Sequence, residues 1–172
     1  LTETERAVEL RSTEPMLAAV GKGIQAFVIV ESGLAFVFAS IVQPADRSTA
    51  VLAMNAAWQL DTKLRMVRAV AEFKLTGELL DRVNAALDDC RKKGTIRHKL
   101  AHYMVGMWPG ATSAADIEKM RPALLPPITS PLHGRVVWGG ETPLQLNEIE
   151  HFVEQCNALF RTLVDLSNEI HP

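Results

Sequence analysis

The stretch Arg91-Lys92-Lys93-Gly94-Thr95-Ile96-Arg97-His98-Lys99-Leu100-Ala101-His102 gathers side chains that could act on a charged substrate. Residues 91–99 carry five cations, one histidine and no acid. Clustered cations attract phosphate, and imidazole titrates near neutral pH. Such a run also suits a solvated helix C-terminus, where the backbone dipole favours positive charge. A metal site is the third possibility. His98 and His102 are four apart and share a helical face, so they could chelate zinc with further ligands from His133, His151 or His171. No neighbouring carboxylate completes a His-Glu-x-x-His pattern.

Arg97-His98-Lys99-Leu100-Ala101-His102 resembles the Arg-polar-x-x-x-His motif of the HEPN superfamily. The usual form has Asn at the second position, where this chain has His98. Ala101 matches the frequent Ala before the His, and Tyr103 stands where many members have Gly. The resemblance covers residues 16–170 in organisation and is specific over 97–102. It implies a mainly α, HEPN-like bundle of four or five helices and metal-independent RNA cleavage with no cofactor. The 2′-hydroxyl would attack the adjacent phosphate, leaving a 2′,3′-cyclic phosphate and a 5′-hydroxyl. His102 would be the general acid or base, and Arg97 would hold the phosphate and stabilise its developing charge. His98 would orient His102 or touch the phosphate. Lys92, Lys93 and Lys99 would add sequence-independent RNA affinity.

The resemblance also implies a bacterial toxin–antitoxin or phage-defence setting, with a homodimer, RNA and a cognate antitoxin or regulator as partners; two cysteines with no disulfide framework suit a reducing cytoplasm. Five residues of straight helix turn by about 140°. Arg97 and His102 therefore converge on one phosphate only if Arg97 reaches around or a second subunit contributes its copy. The alternative is a non-catalytic helical module in which the same residues serve dimerisation or ligand binding.

These residues need helices to position them. Ile24 to Val42 is apolar apart from Gln25, Glu31, Ser32 and Ser40. It is long enough to cross a bilayer, but Glu31 near its middle would be costly there, so a buried helix is preferred and no membrane is expected. Glu31 is costly in a protein core too, and Arg97 is its candidate partner, against a surface position or a bond to a backbone or hydroxyl group. Gln43-Pro44 ends this helix, and Ser48 or Thr49 can cap the next. The pattern from Thr49 to about Leu75 reads as one amphipathic helix, with Leu60, Leu64, Val67 and Ala71 inward and Asp61, Lys63, Arg65 and Arg68 on other faces. After Thr76-Gly77, a second stripe runs through Leu79, Leu80, Val83, Ala86, Leu87 and Cys90. Gly94-Thr95 either breaks this helix or lets it run to about Gly106.

Residues 107–143 hold six of the nine prolines. An irregular insertion over 107–141 is expected, with Arg135-Val136-Val137-Trp138 as a strand of a hairpin or part of a loop. Trp108, Trp138 and Tyr103 could stack on bases, although packing is the commoner role. Thr142 is expected to cap the last helix, with Pro143 at its first position and Gln145 in a capping box.

The whole chain of 172 residues bounds the rest. It is 48% hydrophobic, which excludes disorder and allows one helical domain over residues 1–172, with 1–15 frayed or a short helix. Its formal net charge of -2 excludes a general polyanion binder. Cys90 and Cys156 form no disulfide framework and read as helix-interface residues. Gly21-Lys22-Gly23 lacks the third glycine and preceding strand of a dinucleotide site.

Overall fold

The computed structural model describes residues 3–108, 121–126, 128–132, 135–138 and 142–171, with side-chain surroundings for 13–108, 121–126 and 142–171. The fold is mainly helical: α1 (Glu3–Val42), α2 (Arg47–Ala56), α3 (Leu60–Lys74), α4 (Gly77–His102) and α5 (Leu146–Ile170). Between α4 and α5 lie β1 (Met104–Trp108), β2 (Arg121–Leu125), β3 (Ile128–Leu132) and β4 (Arg135–Trp138). The chain divides into two compact units: residues 1–24 with 97–152, and residues 25–96 with 153–172.

The second unit packs five helical segments on one core. Phe27, Val30, Leu34, Val37 and Ile41 come from α1, and Met54 from α2. Leu64, Val67 and Ala71 of α3, Val83, Leu87 and Cys90 of α4, and Cys156, Leu159, Leu163 and Leu166 of α5 complete it. Each set recurs at three or four residues, the spacing of one helical face. Gly33 brings α1 against α5, since a Cβ there would lie 3.0 Å from Leu163 Cδ1 and 3.1 Å from both Leu163 Cβ and Phe160 Cδ2. A segment of α1, Thr13–Val42, is long and apolar enough to cross a membrane, and 56% of its most apolar window is buried.

The first unit joins the start of α1, the end of α4 and the start of α5 to a hairpin. β1 and β2 are antiparallel, with Met104 opposite Leu125 and Trp108 opposite Arg121. Leu124 exchanges both backbone hydrogen bonds with Leu144, at 2.9 and 3.0 Å. Ala123, Leu124 and Leu125 are buried. Gly23 admits the Leu100 side chain, with Ile149 and Phe152 beside it. A second antiparallel pair, β3 with β4, contains the expected strand Arg135–Trp138 and has an irregular step between Ile128 and Ser130.

Several boundaries differ from the sequence expectations. Helix α1 begins at Glu3 and runs through Pro15, where fraying or a separate short helix was expected. The expected helix over 49–75 is two helices, broken at Ala57 and Gln59, both in extended conformation. A continuous helix would put Met54 and Leu64 about 80° apart, and the break lets both face the core. Asp46, not Ser48 or Thr49, caps α2, accepting from the Ser48 amide at 2.9 Å and the Thr49 hydroxyl at 2.8 Å. Those bonds hold the Asp46 carboxyl below the usual carboxylate range, the Thr49 hydroxyl contributing most.

Helix α4 continues through Gly94, where an added Cβ would collide with Leu60 Cδ2. It stops at His102 because the next residues join β1 and pair with β2. Helix α5 starts three residues later than expected. Leu144 is tied to Leu124, so Gln145 becomes the cap, and its amide donates to Glu148 Oε2 at 2.7 Å. That is one half of a capping box, displaced from the Thr142 expectation by one turn.

Candidate functional site

The residues of the expected motif lie on the last turns of α4, continuous through 97–102. His98 and His102 are exposed, one turn apart, with ring centroids 4.3 Å apart and planes inclined at 48°. Arg97 is half-buried on a different side of the helix, as five residues of rotation require. Among the described residues no carboxylate lies within ion-pair distance of Arg97. Lys99 lies with its ammonium 5.9 Å from the centre of the Tyr103 ring, at the limit of a cation–π contact. The Tyr103 amide donates to the Lys99 carbonyl at 2.9 Å, closing the final turn.

The cations upstream fare differently. Lys93 is 8% exposed, and its ammonium donates to Asp89 Oδ1 at 2.8 Å. A buried, paired lysine is a poor contact for a phosphate backbone, so Lys93 leaves the set of expected RNA contacts. Arg91 donates to Asp61 Oδ1 at 3.1 Å. Lys92 is exposed. The run of cations in the chain thus becomes, in the fold, a partly neutralised segment followed by the motif.

Glu31 does not depend on Arg97 for a counter-charge. It is bound by Lys63, whose ammonium donates to Glu31 Oε2 at 2.5 Å. Lys63 was expected on an outward face, yet it is 6% exposed. The missed signal was spacing: Lys63 is four residues before Val67 and eight before Ala71, both core residues. A second missed cluster joins α1, α2 and α5. Ser40 and Ser167 hydroxyls lie 2.8 Å apart, and Arg47 Nη2 donates to them at 3.1 and 3.0 Å. Ser40 had been visible only as an interruption of an apolar helix.

Among the described residues no three His, Cys, Asp or Glu side chains converge as a metal site. His151 and His171 are exposed, and His133 lies outside the described residues. Trp108 is half-buried, and the side chain of Trp138 lies outside the described set. Burial pushes the Cys90 thiol up to about 12 and the Cys156 thiol up to about 11, which makes them poor nucleophiles.

Compared with known proteins, the chain matches no family model, no curated protein and no solved structure.

Proposed function

We propose that the chain is a HEPN-like, metal-independent endoribonuclease of toxin–antitoxin or phage-defence type, acting as a homodimer. One observation carries the proposal. Arg97 has no carboxylate partner among the described residues and lies on the same last turns of α4 as two exposed imidazoles, His98 and His102. A guanidinium with no carboxylate partner among the described residues, on the same helix end as titratable imidazoles, suits an anionic substrate.

In this proposal Arg97 binds the non-bridging oxygens of a phosphodiester and stabilises the charge that grows on them. His102 of one subunit removes the 2′-hydroxyl proton. The 2′-oxygen attacks phosphorus and the bond to the 5′-oxygen breaks. A second imidazole, from the two-fold related motif, gives its proton to the leaving oxygen. The products are a 2′,3′-cyclic phosphate and a 5′-hydroxyl. His98 steadies the His102 ring, and Lys92 and Lys99 supply backbone affinity. Tyr103 supports Lys99, and Glu31 is a structural partner of Lys63.

The test is incubation with RNA in EDTA, comparing wild type with His102→Ala and Arg97→Ala. Removing a general acid–base group lowers rates by about 100-fold or more. The expected result is EDTA-resistant cleavage, cyclic-phosphate ends and a loss of that size in both variants. Cleavage indifferent to both substitutions overturns the proposal, as does a purely monomeric protein that cleaves. Cleavage abolished by EDTA assigns the histidines to a metal instead.

A further inference from the structure

The helical unit carries a groove of about 630 Å³ lined by parts of α1, α2 and α5. That volume falls within the range of about 300–1,000 Å³ typical of small-molecule pockets. Its apolar wall is made by Phe36, Val51, Leu52 and Val164. Leu52 is 69% exposed there. A large aliphatic side chain left in water gains from an apolar ligand.

The groove has one cation, Arg47. Its Nη2 donates to two buried hydroxyls, Ser40 and Ser167. This anchor occupies two of the five guanidinium donors and leaves the charge unneutralised. Among the described residues no carboxylate lies within ion-pair distance of Arg47. Asp46 is adjacent in sequence, but its oxygens accept from the Ser48 amide and the Thr49 hydroxyl as the cap of α2. A purely apolar ligand would strip water from Arg47 without replacing it. A polyanion would meet a single cation with Asp46 beside it. A single-chain monoanion satisfies both the wall and the cation.

We propose that this groove binds a single-chain carboxylate amphiphile of the fatty-acid type. Its headgroup lies on Arg47 and its chain runs along Phe36, Val51, Leu52 and Val164.

The experiment is calorimetric titration with octanoate, decanoate and dodecanoate, and with decanol, each below its micellar concentration. Affinity should rise about two- to fourfold per added methylene. A hydrogen bond to a charged group is worth about tenfold or more in affinity, so decanol should bind at least that much more weakly than decanoate. Arg47→Gln should weaken decanoate by a similar factor and leave decanol unchanged. Leu52→Gln, at an exposed position that keeps the core intact, should weaken both. Equal binding of decanol and decanoate overturns the proposal, as does decanoate binding indifferent to both substitutions. Saturation only above the micellar concentration also overturns it. So does binding to phosphatidylglycerol vesicles that free decanoate does not compete away, which would assign the patch to a membrane surface.

Discussion

Replacing Lys63 by Met tests how Glu31 is tolerated within an apolar helix. The ammonium side chain is 7% exposed and the carboxylate side chain 26% exposed. Methionine keeps the aliphatic stem of the lysine and removes only the charge and its donors. Breaking a fully buried pair costs about 3–5 kcal/mol, whereas a surface pair contributes about 0–1 kcal/mol. Glu31 retains a quarter of its exposure and can regain some water, so Lys63→Met should cost about 2 kcal/mol. For a chain of this length that corresponds to a drop of about 4–8 °C in Tm. Glu31→Leu strands the more deeply buried ammonium and should cost about 3 kcal/mol. The double substitution removes both charges and should lie within about 1 kcal/mol of wild type, because well-packed apolar replacements of buried pairs are close to neutral. Urea unfolding followed by far-UV circular dichroism gives all three values, and the cycle gives the coupling. A coupling below about 0.5 kcal/mol would refute the pairing. Coupling of Glu31→Leu with Arg97→Met in place of Lys63→Met would reinstate the partner suggested by the sequence.

Two further predictions rest on packing and on thiol burial. Gly21→Ala should stabilise by about 0.5–1 kcal/mol, since nothing lies within 4 Å of the added methyl and alanine favours the helix. Gly33→Ala should instead destabilise by about 1–3 kcal/mol, because the methyl meets Leu163 Cβ, which cannot swing away. Equal changes in Tm at the two sites would contradict this account of helix contact. Cys90 and Cys156 keep their protons in the fold far above the pH at which they lose them when unfolded. Their contribution is therefore present below the ordinary thiol pKa and is lost as pH rises through the folded values, at about 1.4 kcal/mol per thiol for each unit passed. Unfolding free energy should fall between about pH 9 and 11, and Cys90→Ala should flatten that slope; an unchanged slope would contradict the burial argument.

Helical class and core faces were legible because three- and four-residue periodicity repeats over long segments. Leu64, Val67 and Ala71, or Phe152, Cys156, Leu159 and Leu163, declare one face without help from the rest of the chain. Boundaries were less legible, since they depend on partners distant in sequence. Thr142 has every local property of a cap, but Leu144 is claimed by Leu124, and Gln145 takes the role with Glu148. Trp58, 97% exposed, stands in a break that no glycine or proline announces. The phase mismatch between Met54 and Leu64 was the available signal. Lys63 was misplaced by a rule that sends lysine outward, which holds only where no partly buried carboxylate attracts it.

The electrostatics of α4 show why counting charges along a chain can mislead in both directions. Over residues 91–99 the sequence has five cations and no acid. Asp89 lies just outside that window and one helical turn from Lys93, so an i,i+4 pair was foreseeable. Asp61 comes from another helix, and its hold on Arg91 was not. Further back on α4, Asp88 is held below the usual carboxylate range chiefly by the Arg68 hydrogen bond, which keeps that acid occupied by α3. Arg91 and Lys93 of the basic run are thus matched by carboxylates, while Arg97 has none among the described residues. Charge that folding neutralises contributes little to phosphate binding. A cation at the C-terminal end of a helix is favoured by the negative end of the backbone dipole, so Arg97 needs no carboxylate to be held there, and under the proposed function it is the charge that a phosphate would meet.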